Sequence, residues 1–246
     1  MFISSSPLQN HLLAALPSAE FARLNFGLEL ITMPLGDALY ESGVLQQYVY
    51  FPTTAIVSLL YILEDGISAE IAAVGNEGIV GISVFMGGDS TPNRAVVQSE
   101  GYAYRLKGPS IKNEFYRGGH VQRVLLLYTQ ALMTQMTQIA ICNMHHTVEQ
   151  QLCRWLLLSL DRLPSDSVSM TQQVIANMLG IRRERVAEAA GNLQRAGIIR
   201  YSRGAIEVLD RPAMENTVCE CYQVIKKEFD RLLTDVPGSA PLPISA

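Results

Sequence analysis

The six residues Ile181-Arg-Arg-Glu-Arg-Val186 combine two side-chain types well suited to touching a nucleic acid. An arginine guanidinium can donate a parallel pair of hydrogen bonds to guanine O6 and N7, or grip a phosphate. A glutamate can accept from the amino group of a cytosine. Residues 182–203 hold six arginines (Arg182, Arg183, Arg185, Arg195, Arg200 and Arg203) against Glu184 and Glu188, a local charge of +4 in a 246-residue chain whose formal net charge is −4. The imbalance is regional: residues 1–148 carry 7 Lys and Arg against 11 Asp and Glu, and residues 149–246 carry 12 of each. A basic patch on an acidic protein points to one face that meets an anion, but charge alone does not make that anion DNA.

The flanking residues indicate how the patch would be presented. Thr171 can cap a short helix whose apolar face is Val174, Ile175, Met178 and Leu179, and Gly180 stands where that helix must stop in a left-handed conformation. A second helix follows, with Val186, Ala189, Ala190 and Leu193 inward. Ala176 is small enough for the two helices to approach, and Ile181 and Val186 would plug the angle between them. Helix, glycine turn, helix is the order of a helix-turn-helix, whose second helix lies in the major groove. Next, "GIIRYSRGAIEVLD" alternates Ile199/Tyr201 and Ile206/Val208 about a turn at Ser202-Arg203-Gly204. A basic-tipped hairpin at that place makes a wing whose arginines can reach phosphates. The plainer alternative is a capped helix with solvated arginines. The ordered run of small residue, glycine, plug, basic helix and wing argues against it.

Upstream, residues 28–106 are short β-type runs ("YVYFP", "AIVSLLYIL", "ISAEIAAV", "AVVQSEGYAYRL") separated by the turns "EDG" and "GNEG", a texture that predicts a sandwich or rolled barrel. In "ISAEIAAV" the alternating set is Ile67, Ala69, Ile71 and Ala73. One long helix is expected over roughly 109–145, then a second in "VEQQLCRWLLLSLDRL" that Pro164 ends, with a domain boundary near 145–150. From Val124 to Met144 no residue is charged over 21 positions, which is long enough to span a bilayer. Thr129, Gln130, Thr134, Gln135, Thr137, Gln138 and Asn143 would each need a partner in hydrocarbon, so no membrane span is expected. Instead Val121, Leu125, Tyr128, Leu132 and Ile139 fall on a heptad, with Gln135 and Cys142 interleaved, and predict a seam between two copies of the helix. Packing against the chain's own domain is the alternative. Four cysteines without framework spacing and an N-terminus without a basic n-region suggest a reduced, cytoplasmic protein.

The segment "TQQVIANMLGIRRERVAEAAGNLQRAGII" resembles the DNA-binding segment of the Crp/Fnr family of bacterial transcription regulators, and the similarity extends over nearly the whole chain. The resemblance implies an α+β protein. A double-stranded, cyclic-nucleotide-binding-like β-roll would occupy residues 1–120, a dimerisation helix and hinge 121–147, and a DNA-binding winged helix-turn-helix 148–235; residues 236–246 have the composition of a mobile tail. It further implies a homodimer on double-stranded DNA whose recognition helices read half-sites about one helical turn, roughly 34 Å, apart. RNA polymerase would be a partner if the protein activates. The family's base-reading Arg-Glu pair matches Arg183 and Glu184. Its next reading position, often arginine, is Glu188 here, which changes the expected target. Arg182 stands where a capping Ser or Thr is expected. Arg182, Arg185 and Arg203, with Thr171, Gln172 and Gln173 from the first helix, are assigned to phosphates.

In the related cyclic-nucleotide-binding domains a Gly-Glu pair holds the ribose and an Arg-Ser pair the cyclic phosphate. The matching positions are Gly81, Ile82, Asn93 and Arg94. Isoleucine cannot accept from a hydroxyl and asparagine lacks the guanidinium fork, so cAMP and cGMP are not expected. A different acidic ligand at Arg94, or a plain surface role for it, both stay open. An N-terminal iron–sulfur cluster is excluded because the cysteines are at 142, 153, 219 and 221. Each is expected to be a separate buried thiol, with Cys219 and Cys221 diverging on one helix. His145-His146 is expected to solvate or cap the hinge, and neither a metal site nor a cofactor is assigned. A cupin-like metalloenzyme needs clustered histidines, yet there is none between His11 and His120, and no nucleophile and base set appears, so no enzyme is expected. The rival is a winged-helix protein–protein module on a vestigial roll.

Overall fold

The computed structural model describes residues 6–163, 165–202 and 204–233. The helix stop expected at Pro164, the wing-tip Arg203 and the tail from 236 lie outside the described residues.

Two short helices, α1 (His11–Ala14) and α2 (Ser18–Asn25), precede the strands. Asn10 caps α1 by accepting from Leu12 and Leu13, and its amide donates to the carbonyls of Pro52 and Gly78 at 3.0 and 2.8 Å. One fully buried side chain thus spends its bonding capacity tying the N-terminal segment to the roll. The strands are β1 (Glu29–Met33), β2 (Ala38–Tyr40), β3 (Tyr48–Pro52), β4 (Ile56–Ile62), β5 (Ser68–Val74), β6 (Arg94–Ser99) and β7 (Gly101–Lys107), with α3 (Ile82–Met86) between β5 and β6. They form two antiparallel sheets, ordered β1-β7-β3 and β2-β6-β4-β5. Val49, Phe51, Val57, Leu59, Val97 and Leu106 fill the space they enclose. β5 departs from the alternation expected of it: Ile67 is 55% exposed, whereas Glu70 is 5% exposed. Glu70, Ala72, Ala73 and Val74 are all buried, and a register shift opposite Leu59 and Leu60 of β4 breaks the alternation, leaving Glu70 beside Ser58 on the face that α6 covers.

The single long helix expected after the strands is two. α4 (Gly108–Arg117) and α5 (Gly119–His145) are separated at Gly118 and Gly119, whose φ values of 81° and 83° no right-handed helix can use. The Glu20 carboxylate of α2 then accepts from the His120 and Val121 N–H groups at 3.3 and 2.8 Å, placing negative charge at the α5 N-terminus. With 27 residues α5 is about 40 Å long. It is long and apolar enough to cross a membrane by composition alone, but 44% of its most apolar window is buried inside the protein.

The heptad seam does not have the role expected of it. Val121, Leu125, Tyr128, Leu132 and Ile139 are all under 5% exposed within one chain, packed toward β5 and the C-terminal helix. Gln135, the polar member of that row, donates to the Ala73 carbonyl at 3.2 Å. A segment without charges can carry apolar residues on more than one face, and this one has a second heptad. The outward positions are Leu126, Gln130, Met133, Thr137, Ala140 and Met144.

The second half comprises α6 (Val148–Leu160), β8 (Ser167–Ser169), α7 (Gln172–Leu179), α8 (Arg183–Arg195), β9 (Ile199–Ser202), β10 (Ala205–Val208), α9 (Arg211–Thr217) and α10 (Glu220–Leu233). Thr147 and Gln150 form a capping box that starts α6 directly after the α5 end. The core of this half is Leu152, Trp155, Leu156, Ile175, Leu179, Val186, Leu193 and Ile206. α10 returns antiparallel along α5. Phe229 meets Tyr128 edge-on at 6.2 Å, and Cys219 meets Cys142 at the far end. Against the roll, α7 packs on β5, and Arg162, past the end of α6, pairs with Glu77 at 2.8 Å.

Candidate nucleic-acid interface

Thr171 caps α7 by accepting from the Val174 N–H at 3.3 Å, as its residue type predicts. Ile175, Ala176, Met178 and Leu179 are buried, while Val174 is 36% exposed because it lies at the edge of the stripe rather than in it. Gly180 ends the helix at φ 66°, and an added Cβ would come within 3.2 Å of the Ala69 Cβ on β5. Glycine therefore meets two demands there, a left-handed turn and a close approach to the roll. Ile181 is half-buried against the core and Val186 is fully buried, so the pair fills the angle between the helices.

α8 starts at Arg183 with Arg182 as an extended N-cap whose side chain makes no capping bond. Its inward face is Val186, Ala189, Ala190 and Leu193, and Arg182, Arg183, Glu184, Arg185 and Glu188 are all exposed. Among the described residues no ion pair engages any of these five. Two other arginines of the basic segment are tied down: Arg195 bonds Asn192, and Arg200 pairs with Glu207 at 3.0 Å across the hairpin. The free positive charge is therefore concentrated at the N-terminal tip of α8, where the helix dipole has the same sign.

The wing is a three-stranded sheet ordered β8-β10-β9 rather than the two-stranded hairpin expected, because residues 167–169 add an edge strand. A shallow cleft of about 470 Å³ runs between wing and helices, lined by Thr171, Gln172, Gln173, Arg183, Tyr201, Ser202 and Gly204. The structure thus brings the α7 N-terminus and the recognition-helix arginine to one surface, and adds Tyr201, Ser202 and Gly204 of the wing, which the sequence placed in the hairpin but assigned no contact. Tyr201 donates to the Met170 carbonyl at 2.9 Å, and burial raises its phenol above the ordinary value while the Arg183 charge opposes the shift. Its alternating position marks it as inward, which hides the polar end that reaches the rim.

The four positions assigned to an effector pocket are occupied otherwise. Gly81 starts α3 at φ 100°, and Ile82 packs on the roll core. Asn93 accepts from the Tyr40 hydroxyl at 2.9 Å and donates to Thr91, while Arg94 pairs with Glu41 at 3.0 Å. The cysteines also differ from the separate thiols expected. Cys219 precedes α10 instead of lying on it, so the helical divergence does not apply. Cys142, Cys219 and Cys221 converge with His146, the C-cap of α5. No sequence feature marks that convergence, since the members come from distant segments.

By family comparison, residues 150–217, from α6 through α9, match the Crp-like helix-turn-helix domain. This part of the chain is similar to a Crp-like helix-turn-helix domain. Solved structures extend the likeness to the whole fold. The chain is similar to FixK2 of Bradyrhizobium japonicum, with 19% identity and a TM-score of 0.65 over 78% of this chain and 98% of that one. It is also similar to the global regulator CLP of Xanthomonas campestris, with 13% identity and a TM-score of 0.64 over 79% and 100%. A Crp/Fnr-family regulator of Thermus thermophilus gives 19% and 0.63 over 77% and 97%. No curated protein matches the sequence. A helix-turn-helix on a roll-and-long-helix frame is the fold these structures share, and the α+β class expected from the sequence holds.

Proposed function

We propose that the chain is a homodimeric, sequence-specific transcription regulator whose α8 tip enters the major groove of DNA. The observation that carries this is the cluster of exposed Arg182, Arg183 and Arg185, without ion pairs among the described residues, at an uncapped helix N-terminus where Arg183 borders the cleft between α7 and the wing. Arg183 and Glu184 read base edges, with Glu188 one turn further along the same face. Arg182 and Arg185, together with Thr171, Gln172 and Gln173, hold flanking phosphates. The exposed first-turn N–H groups of α8 add a backbone contribution to anion binding. Arg203, at the wing tip, belongs to the same phosphate-binding set by its place in the sequence.

The dimer contact runs along the outward heptad of α5, where Leu126, Met133 and Met144 are 52, 62 and 76% exposed. A long, charge-free, partly apolar stripe on a helix is unusual without a partner, and a second copy of the helix matches its 4-3 spacing. The regulator acts in the cytoplasm without cAMP or cGMP: Ile82 offers the ribose no acceptor, and Arg94 is already held by Glu41. RNA polymerase is the further partner if the regulator activates.

Selection of binding sites from random duplex DNA by ligand-stripped protein, at one fixed salt concentration, tests this. A recovered palindrome with half-sites about one helical turn apart is expected. Folded, dimeric protein that enriches no sequence, even with cell extract added, would favour a winged helix that binds protein instead.

A further inference from the structure

The end of α5, the start of α6 and the start of α10 meet around one small buried volume. Cys142 lies in the last turns of α5, His146 is that helix's C-cap, and Cys219 and Cys221 flank the first residue of α10. The Cys142 and Cys219 sulfurs are 3.5 Å apart, Cys221 Sγ is 3.6 Å from His146 Nδ1, and all four donor atoms lie within 4.8 Å of one another. The three cysteines are 0, 4 and 1% exposed. A tetrahedral zinc ion with Zn–S of about 2.3 Å and Zn–N of about 2.0–2.1 Å sets its sulfurs about 3.8 Å apart and sulfur to nitrogen about 3.6 Å. The two short separations here fall within a few tenths of an ångström of those values.

We propose that Cys142, His146, Cys219 and Cys221 bind one structural zinc ion, which clamps the start of the C-terminal helix to the junction of α5 and α6. Four protein ligands fill a tetrahedron and leave no open position, so the site is structural rather than catalytic. The surroundings suit it. His146 Nε2 lies 3.4 Å from a Glu220 carboxylate oxygen, which leaves Nδ1 toward the metal in a carboxylate–histidine–metal arrangement. Gln151 donates to the carbonyls of Cys142 and His146 at 3.4 and 2.9 Å, fixing the turn that carries two of the ligands.

Arg154 supplies the strongest independent indication. It is 2% exposed, its Nε is 3.2 Å from Cys142 Sγ, and among the described residues no carboxylate forms an ion pair with it, the Glu70 carboxyl feeling its charge only from a distance. A buried guanidinium needs a nearby negative charge. Zinc with three thiolates carries one net negative charge, which matches it. Binding transfers the three thiol protons to solvent, so retention of the metal weakens in acid.

The test uses the full chain, purified under reducing conditions and analysed for metal by mass spectrometry. One zinc per chain is expected, released in proportion when a mercurial reagent titrates the thiols. Chelator-stripped protein titrated with cobalt(II) should develop the visible bands of tetrahedral coordination and a sulfur-to-metal charge-transfer band, both abolished by added zinc. Cys219→Ser should lose the metal. Should that variant fail to fold, His146→Cys keeps four ligands and should retain one zinc while shifting the cobalt spectrum. Wild-type protein that neither retains zinc nor takes up cobalt overturns the proposal. So does a Cys142–Cys219 disulfide found in freshly isolated protein, metal content unchanged in folded Cys219→Ser, or a cobalt spectrum that His146→Cys leaves unchanged.

Discussion

At the tip of α8, Arg182, Arg183 and Arg185 stand in solvent, and among the described residues none has an ion-pair partner. At the junction with the roll, Arg154 and Arg162 are 2 and 8% exposed, and each is held by named acceptors: Cys142 Sγ for the first, Glu77 and the Leu158 carbonyl for the second. The same guanidinium thus does two jobs. For a buried one that is paired, the partner's attraction offsets much of the desolvation cost, but one left without its partner is expensive, so such residues serve the fold. An exposed one is already hydrated and the fold neither gains nor loses much from it, which leaves its charge for an external anion. Burial and pairing, more than residue type, separate the arginines that hold this protein together from those that face outward.

The comparison breaks first at Arg162. Its side chain is 6% exposed and that of Glu77 15%, so Arg162→Ala leaves a nearly buried carboxylate unpaired and should cost about 3–5 kcal/mol in urea unfolding. Removing both charges, as Arg162→Met with Glu77→Leu, should recover a large part of that loss. A single-variant cost below about 1 kcal/mol would mean that the pair behaves as a surface one, and the contrast would be lost.

Glu70 tests the same junction through pH. Burial pushes its carboxyl up to about 7, against the opposing influence of the Ser58 hydroxyl and of Arg154 and Arg162. The folded state therefore binds this proton more tightly than the unfolded chain, whose value is near 4.5. The stability that the protonated group contributes is fully present below about 4.5 and is lost as pH rises through 7. Replacing Glu70 with glutamine should flatten the fall in urea midpoint between pH 5 and pH 8, about 7 being its centre of titration. An unchanged profile would place the titrating group elsewhere.

Arg183→Ala is the matching experiment on the exposed side. It should leave the unfolding midpoint within about 0.5 kcal/mol of wild type, as expected for a surface position. DNA affinity should fall by about 1–3 kcal/mol, with relaxed preference at one base pair of each half-site. Loss of stability with DNA affinity retained would reverse the assignment.

What could be read from the sequence follows the range of the interactions involved. The helix-turn-helix is local: Thr171 caps, Gly180 turns, and Val186 and Leu193 repeat at helical spacing, so every signal lies within the segment it shapes. The basic tip was equally legible. The α5 seam was not, because a charge-free helix offers two heptads and only the return of α10 decides which is consumed. Nor could the break at Gly118-Gly119 be placed, since glycine inside a helical pattern is often tolerated. Glu70 looked like the polar side of β5 until α6 covered it. The cysteine–histidine cluster is the extreme case, with Cys142 and Cys219 separated by 77 residues and joined only by tertiary packing.

The smallest expected effect draws the finest line, between two neighbours on the exposed side. Arg183 and Arg185 share a helix turn and a charge, but successive α-helical positions are about 100° apart, so two residues' separation turns them to different directions. Arg183 borders the cleft and Arg185 does not. If Arg185 neutralises a phosphate, Arg185→Ala removes about one counterion-release event. The slope of log affinity against log salt should then shallow by roughly 0.9 for that contact. Affinity should drop by a similar factor on selected and random DNA, leaving their ratio unchanged, whereas Arg183→Ala lowers the ratio. Fluorescence anisotropy on both duplexes at several salt concentrations separates the two. A changed ratio for Arg185→Ala would move base reading one half-turn along α8, and the preference of Glu188 would then need reassignment with it.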